Sequence, residues 1–467
     1  MLLQQFYVES LGHYSYLIGA DSEPVGFVVD PKRDVQDYLD AARQQSLQIT
    51  HIFETHLHND YVSGALELAA VTGARVHSGA GAESGFERVP IKEGDEFRFG
   101  ELLVRVLETP GHTPEHVCYT MADTSRSDLP TVMLTGGDLL VSSVGRPDLL
   151  GKELGEQLAP KLYDSLHHKI LTHEDYVAVL PTHGAGSSCG ANISKTRTST
   201  IGYERRTNPF LQQKTEDEFI RFVLAGQPAI PAYYNRMRPT NQQGPRVLGT
   251  LPEPRAMPPY EVEKAVANGA VVIDGRMPAA FGGAHIAGAY SIGLGPNFST
   301  WVGSVVPTDR PIVLVLDHPS DVEEAVRQLV RIGYEQIEGY LAGGIEAWLA
   351  QGKSVVHVLQ ISVHELREAL SRNGQAPHVL DVRAGSEWQA GHIDGALHIP
   401  GGDLPGRIGD VPWRENLAVI CGSGYRSSVG TSILQQHEFH DVVNVIGGMT
   451  AWNRADYPTT KNGQGQE

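Results

Sequence analysis

Apolar and polar positions in the first 200 or so residues follow two alternating patterns. Short apolar runs at residues 27–30 and 49–55 have the length of buried strands, and Val35, Tyr38, Leu39 and Ala42 share one face at helical spacing. Further apolar runs with strand character follow at residues 102–107, 131–135 and 176–180. Strands that alternate with helices predict an α/β fold for this part of the chain.

A change in composition marks the end of this pattern. Residues 226–258 are rich in Pro, Gly, Asn and Arg, which is typical of a linker. We therefore predict a domain boundary near residues 244–252 and a first domain that covers residues 1–243.

The remainder of the chain contains an internal repeat. Ile-Asp-Gly-Arg at 273–276 recurs 107 residues later as Leu-Asp-Val-Arg at 380–383, and 281–289 recurs at the same offset as 388–396. The Gly-Gly-x3-Trp motif that ends at Trp348 recurs at an offset of 104 and ends at Trp452. Two copies of one α/β domain are predicted, separated by a net three-residue indel. We call them the first repeat (253–355) and the second repeat (357–460).

Histidines and an aspartate stand at the ends of predicted strands in the first domain. His56 and His58, in Thr-His-Leu-His-Asn-Asp, point the same way from an extended segment. His112 lies in a Pro-Gly turn, and Asp138 and His183 follow further strands. Taken alone, the His-x-His pair is as compatible with ordinary surface or capping histidines as with metal ligands. Four such strand ends can converge at one edge of a sheet, where α/β folds place their sites.

The order His-x-His-x-Asp, Gly-His, Gly-Asp, His resembles that of the metallo-β-lactamase superfamily over residues 1–240. The resemblance implies an αββα sandwich with a metal site. Dinuclear members follow the aspartate, here Asp60, with a histidine for a second ion, but this chain has Tyr61. A phenol replaces a neutral imidazole poorly, so we expect a single ion.

What remains resembles the persulfide dioxygenase branch of that superfamily. This resemblance implies one Fe(II) per chain, held by His56, His112 and Asp138 as a 2-His-1-carboxylate triad with open positions. His58, Asp60 and His183 then orient ligands or hold water, and His58 stays a candidate ligand.

Two further residues are candidates for contact with the substrate. Arg146, in Gly-Arg-Pro-Asp, resembles the arginine that holds the thiol carrier's carboxylate in the glutathione-persulfide enzymes. A surface salt bridge is an equally good interpretation of Arg146. Tyr61 is the second candidate. The segment from His183 to Cys189 resembles the fused bacterial type rather than the glutathione enzymes, so the thiol carrier stays open.

The second repeat contains a cysteine in a loop between a predicted strand and a predicted helix. Cys421 is followed by Gly422, Ser423, Gly424 and Tyr425, and then by Arg426. Converging backbone N–H groups, the positive end of the helix and the arginine stabilise an anionic sulfur. Four residues between cysteine and arginine suit a single sulfur atom better than a phosphate.

These motifs resemble the rhodanese sulfurtransferases over residues 357–458. The resemblance implies transfer of sulfane sulfur from thiosulfate or persulfide at Cys421, with Arg426 as a catalytic cation. At an offset of 104, Asp317 and Val322 stand in place of this pair. We therefore interpret the first repeat as a structural or docking domain without a catalytic cysteine.

Charge and cysteine content limit the partners. Asp and Glu number 55 against 37 Lys and Arg, a formal charge of −18 that repels phosphate backbones, so nucleic acid is not expected. No apolar run approaches the roughly 20 residues of a membrane span, and no signal peptide is visible. Three distant cysteines suit a reducing cytosol. Cys118 is expected in the core, and Cys189 either lines the cleft or is an incidental loop thiol.

Together these features predict a cytoplasmic dioxygenase that converts a low-molecular-weight persulfide and O2 to sulfite and free thiol. Cys421 would handle persulfide, thiosulfate or sulfite. A metal-dependent thioester hydrolase of the hydroxyacylglutathione hydrolase kind is the first alternative, and a sulfur carrier with a vestigial metal site is the second. The direction of sulfur transfer and the oligomeric state stay open, and a homo-oligomer is compatible with the sequence.

Overall fold

A computed structural model describes residues 1–372, 376–412 and 415–461. The chain divides into two compact units. The first comprises Met1–Leu251 and Val330–Gly333, and the second comprises Pro252–Leu329 and Tyr334–Glu467. The domain bounds inferred from the sequence are finer than this division and stay predictions.

The first unit alternates strands and helices, as the apolar pattern predicts. Its strands are β1 (Leu2–Val8), β2 (His13–Gly19), β3 (Val25–Val29), β4 (Gln48–Phe53), β5 (Arg75–Gly79), β6 (Val89–Ile91), β7 (Glu96–Phe99), β8 (Leu102–Glu108), β9 (Val117–Asp123), β10 (Val132–Gly136), β11 (Leu139–Leu140), β12 (Ser143–Val144), β13 (Ala178–Pro181) and β14 (Ser199–Thr200). Its helices are α1 (Gln36–Gln44), α2 (Ala65–Thr72), α3 (Lys152–Asp164), α4 (Ile201–Thr207), α5 (Glu216–Leu224) and α6 (Tyr234–Gln243).

Two sheets of this unit pack face to face. One has the order β1-β2-β3-β4-β5-β6 and the other the order β14-β13-β10-β9-β8-β7. Their facing side chains, among them Phe27, Phe53, Val104 and Tyr119, form one buried cluster. Residues of α1 and α2 pack on the outer face of the first sheet, and residues of α3 and α5 on that of the second. The αββα sandwich predicted from the sequence is confirmed.

The strand ends that carry the candidate ligands meet where the two sheets face each other. Strands β8, β10 and β13 run in the same direction, because β10 pairs in parallel with β13 and β9 lies antiparallel between β8 and β10. His112, Asp138 and His183 therefore follow the same edge of the second sheet, and His56 follows β4 of the first. The segment predicted as a linker contains helix α6, whose Asn241 donates to the backbone carbonyl of His58.

The second unit contains both repeats. The first repeat consists of β15 (Arg255–Met257), α7 (Pro259–Ala267), β16 (Val271–Asp274), α8 (Pro278–Gly283), β17 (Tyr290–Ser291), α9 (Phe298–Val305), β18 (Ile312–Val315), α10 (Val322–Arg331), β19 (Ile337–Leu341) and α11 (Gly344–Ala350). The second repeat consists of β20 (Leu359–Ser362), α12 (Val363–Leu370), β21 (His378–Asp381), α13 (Gly385–Ala390), β22 (Leu397–His398), β23 (Leu417–Ile420), α14 (Tyr425–Gln436), β24 (Val442–Ile446) and α15 (Gly448–Arg454).

The two repeats have the same sheet. The strand orders β15-β19-β18-β16-β17 and β20-β24-β23-β21-β22 correspond strand by strand, with parallel neighbours throughout the described pairs. The register of the paired strands corrects one correspondence between the repeats that was predicted from the sequence. Asp274 pairs with Val315 and Asp381 pairs with Ile420, so Leu316, not Asp317, corresponds to Cys421. The projection was wrong by one residue because the offset between the repeats is 105 from β18 to Ile337 and becomes 104 only after a register irregularity in β19. The position still lacks a thiol.

Among the residues that the structure describes, no helix combines the length and the apolar character needed to cross a bilayer.

Truncation of a core tryptophan should destabilise the second repeat. Trp452 is 1% exposed, packs on Tyr457 and donates its indole N–H to the carbonyl of Pro458. We expect Trp452→Ala to lower the free energy of unfolding by about 3–5 kcal/mol, measured by urea titration. Leu359→Ala, at a position 64% exposed in the same repeat, is the control and should change it by less than about 0.5 kcal/mol. Equal losses in both variants would contradict the assigned core.

Candidate functional site

A buried aspartate organises the strand ends of the first unit. Asp30 follows β3, and its carboxylate accepts the backbone N–H of Thr55 at 2.7 Å and the hydroxyl of Thr55 at 2.8 Å. The same carboxylate accepts the hydroxyl of Thr182. Because Thr55 precedes His56 and Thr182 precedes His183, one side chain fixes the two segments that carry these histidines.

The ring orientation at the site follows from hydrogen bonds at Nδ1. The Nδ1 of His56 lies 2.8 Å from the hydroxyl oxygen of Thr55. That hydroxyl gives its proton to Asp30, so it accepts from the imidazole. The proton of His56 therefore sits on Nδ1 and its Nε2 carries a lone pair.

A second histidine has the same arrangement, and a third has a carboxylate near its Nδ1 at an ion-pair distance without hydrogen-bond geometry. The Nδ1 of His112 lies 2.9 Å from the carbonyl oxygen of Arg146, which can only accept. The Nδ1 of His183 lies 3.3 Å from a carboxylate oxygen of Asp60. Carbonyl and carboxylate acceptors behind an imidazole are the usual means by which proteins orient a metal-binding histidine.

The three imidazoles converge. The ligand atoms of His56, His112 and His183 lie within 4.8 Å of one another, and the Nε2 atoms of His56 and His183 are 3.3 Å apart. Nitrogen ligands about 2.1 Å from one ion are separated by roughly 3.0–3.4 Å. The Nε2 of His112 has no hydrogen-bond partner among the described residues. This donor set fits one metal ion and leaves further coordination positions open.

Charge around the rings agrees with metal binding. Burial, together with neighbouring imidazoles, lowers the pKa of His56 and that of His112 well below the ordinary value. Both rings are neutral at pH 7, the form that binds metals. Burial alone would lower the pKa of His183, but Cys189 and Asp60 raise it well above the ordinary value. A metal ion at His183 therefore displaces a proton.

Asp138 lies beside this cluster, and its Oδ2, like the Nε2 of His112, has no hydrogen-bond partner among the described residues. One oxygen accepts the backbone N–H of His112 at 3.0 Å, and the other lies 3.3 Å from the Nδ1 of His116. Burial raises the pKa of Asp138 well above its ordinary value. Potential ligands meet in three groups among the described residues: His56, His112 and His183; Asp60, His183 and Cys189; and Asp30, Glu54 and His58. Asp138 belongs to none of these groups. The assignment of Asp138 as a ligand stays a prediction.

His58 is held by two carboxylates. Its Nε2 lies 2.8 Å from Glu54 and 3.3 Å from Asp30. Burial opposes protonation, but these two acids raise the pKa of His58 to about 10. Because two carboxylates face its Nε2, the geometry favours a structural role for His58.

Tyr61 and Arg146 are both bonded to the protein. The buried Tyr61 hydroxyl donates to the carbonyl of Asp30 at 3.2 Å, and burial keeps its pKa well above the ordinary value. Arg146 is 3% exposed and donates to Asp148 at 2.7 and 2.8 Å and to the carbonyl of Pro228. Their contacts with a substrate stay predictions, and both geometries favour structural roles.

Sequence reasoning missed several residues of this site. In the sequence, Asp30 is a polar residue at the end of an apolar strand, and this position is the signal that could have indicated its role in the site. Cys189 is fully buried beside Asp60 and His183, and its Sγ lies 3.9 Å from the hydroxyl of Tyr234. Tyr234 lies in the segment that was read as a linker, so the sequence gives no signal for it.

The second site lies around Cys421 in the second repeat. Its buried Sγ accepts the backbone N–H of Gly424 at 3.1 Å and lies 3.3 Å from the hydroxyl of Ser427. Arg426 donates to both carboxylate oxygens of Glu387, at 2.6 and 2.7 Å, and lowers the pKa of that carboxyl. The loop thus provides N–H donors at the sulfur and a cation whose position Glu387 fixes.

Comparison with known proteins agrees with this architecture. The metallo-beta-lactamase superfamily matches residues 11–125, and the rhodanese-like domain matches residues 258–351 and 362–455. A hydroxyacylglutathione hydrolase of Rhizobium meliloti (strain 1021) is 31% identical over 42% of this chain and 80% of its own length. The mitochondrial persulfide dioxygenase ETHE1 of Mus musculus is 28% identical over 48% of this chain and 80% of its own length.

A solved structure covers more of the chain. The metallo-beta-lactamase from Staphylococcus aureus subsp. aureus COL is 30% identical, with a TM-score of 0.66, and the match covers 73% of this chain and 99% of that one. With the sandwich, the histidine cluster and the paired repeats, these matches identify the family. The chain belongs to the metallo-β-lactamase superfamily and carries two rhodanese-like domains after its metallo-β-lactamase domain.

Proposed function

We propose that this protein is an Fe(II)-dependent persulfide dioxygenase with a rhodanese sulfurtransferase site at Cys421. The observation that carries the proposal is the convergence of His56, His112 and His183 on one point, with Tyr61 where a second metal would need a histidine. Imidazoles bind iron and zinc alike, and the choice of iron rests on the persulfide dioxygenase relative.

We propose His56, His112 and His183 as the iron ligands, in place of the set with Asp138. Bound iron supplies open coordination positions for a persulfide and O2. The protein's own part is to orient the rings: Thr55 accepts the Nδ1 proton of His56, the carbonyl of Arg146 accepts that of His112, and the buried surroundings exclude bulk water. The net reaction takes persulfide, O2 and one water to thiol and sulfite.

Metal content should separate the two ligand sets. We expect His183→Ala to lose iron and Asp138→Asn to keep it, because the asparagine oxygen can still accept the His112 amide. Asp60→Asn should weaken iron binding about 10- to 100-fold, as expected for a group that orients a ligand. Iron per chain is measured after anaerobic reconstitution and dialysis. Iron lost in Asp138→Asn but kept in His183→Ala would restore the set implied by the resemblance.

Oxygen uptake tests the reaction itself. With glutathione persulfide as the probe, we expect the iron-loaded protein to consume one O2 for each sulfite released, and His56→Ala to consume none above background. The competing hydrolase reaction is assayed with S-lactoylglutathione under nitrogen. Thiol release from that thioester, with no O2 uptake on persulfide, would favour the hydroxyacylglutathione hydrolase function. The buried Tyr61 argues against it, because that hydrolysis commonly uses a dinuclear centre.

Sulfur transfer should depend on one thiol. We expect Cys421→Ser to abolish thiocyanate formation from thiosulfate and cyanide, because a serine hydroxyl cannot carry the sulfane sulfur. Sulfite formation from preformed persulfide should stay within about twofold of wild type, since the iron ligands lie in the other unit. That retained activity is the folding control. Persistent thiocyanate formation would transfer the role to Cys189 or Cys118.

A further inference from the structure

Helix α14 carries the end of the Cys421 loop. Its first turn holds Arg426, paired with Glu387, and Ser427, whose hydroxyl lies 3.3 Å from the sulfur. Between Cys421 and the helix the loop is Gly-Ser-Gly, so it has little side-chain packing of its own. The position of the N–H donors at the sulfur therefore depends on what holds α14.

A separate stripe of α14 is bonded to the first repeat. The Tyr425 hydroxyl donates to the carbonyl of Gly293 at 2.9 Å. The hydroxyls of Ser428 and Ser291 are 2.7 Å apart, and the N–H of Ser291 donates to Ser432 at 3.1 Å. Positions 425, 428 and 432 lie on one face of a helix. The first repeat therefore fixes both the rotation and the axial position of α14.

The contact at Tyr425 is tight as well as hydrogen-bonded. Burial raises the pKa of Tyr425 well above its ordinary value, so its hydroxyl remains a donor. A Cβ on Gly293 would lie 3.3 Å from the Tyr425 ring and 3.2 Å from the carbonyl oxygen of Arg276. Because Gly293 has no Cβ, the Tyr425 ring can approach the backbone closely enough for its hydroxyl to donate to the carbonyl of Gly293.

We propose that the cysteine-free first repeat is a positioning element for sulfur transfer, and that Tyr425 is the positioning residue through which it acts. Tyr425 lies in the loop predicted to bind sulfur, but its side chain is turned to Gly293. By fixing the start of α14, it holds the Gly424 N–H 3.1 Å from Sγ of Cys421.

This inference rests on the proposed transfer at Cys421. There the thiolate attacks the sulfane sulfur of thiosulfate, the S–S bond breaks, and sulfite leaves with its electron pair. Cyanide then takes the sulfur from the cysteine persulfide and regenerates the thiolate. The N–H of Gly424, when it is held in a fixed position, stabilises negative charge on the sulfur in both steps.

The test removes one hydroxyl. We expect Tyr425→Phe to lower kcat for thiocyanate formation about two- to tenfold, the effect of one lost hydrogen bond. The KM for thiosulfate should change little, because the Arg426–Glu387 pair does not involve Tyr425. Tyr334→Phe is the matched control. It removes a tyrosine hydroxyl that donates to the carbonyl of Val302 inside the first repeat, and it should keep wild-type kcat.

Hydrogen exchange gives a readout that does not need activity. Peptides that span residues 421–426 should exchange faster in Tyr425→Phe than in wild type, and at the wild-type rate in Tyr334→Phe. Ser291→Ala, which removes the contact with Ser428, should shift exchange and kcat in the same direction by a smaller factor.

The outcomes separate the two proposals. Wild-type kcat and wild-type exchange in Tyr425→Phe would overturn the positioning role, as would equal losses in the two tyrosine variants. If wild-type protein forms no thiocyanate that depends on Cys421, the proposed sulfur transfer fails. Even then, hydrogen exchange of residues 421–426 decides whether the first repeat positions the loop.

Discussion

The metal centre depends on the buried carboxylate of Asp30. It binds the backbone and hydroxyl of Thr55, the hydroxyl of Thr182 and the imidazole of His58. Burial alone would raise the pKa of Asp30, but these partners lower it below the ordinary value. Breaking a buried charged pair of this kind costs about 3–5 kcal/mol. These contacts therefore hold the two sheets in one register at Asp30. In this register the Nε2 atoms of His56 and His183 face each other.

The proposed preference for His183 over Asp138 as the third ligand rests on side-chain geometry rather than on residue type. Asp138 and His183 both follow strands of the same sheet, and both were candidates. Asp138 follows a tight turn at Gly136, whose φ is +54°. One of its carboxylate oxygens accepts the amide of His112, and the other has no hydrogen-bond partner among the described residues. His183 follows a straight strand end and has Asp60 behind its ring. Motif spacing alone cannot distinguish these two arrangements.

The sequence predicted those features that depend on periodicity. The α/β character, the two repeats and the strand-end positions of His56 and His112 follow from apolar spacing and motif order, and the αββα sandwich is what the family resemblance implies. Sequence analysis did not predict the contacts that depend on the length of a loop or on a residue outside any motif. The projection to Asp317 missed the register by one residue, Tyr234 lay in an apparent linker, and the orientation of Tyr425 needed the position of Gly293.

The two proposed chemistries need opposite local charge, and the two sites differ in this way. Around the imidazoles, the buried acids Asp30, Glu54 and Asp60 compensate for cations. Around Cys421, the Gly424 N–H and Arg426 compensate for an anion. A carboxylate cluster beside a thiolate would disfavour its ionised form, and an arginine beside the imidazoles would weaken the binding of a dication. In the proposed function, each site therefore has surroundings whose charge suits its own chemistry, and at Cys421 the pairing of Glu387 with Arg426 neutralises the one carboxylate that lies nearby.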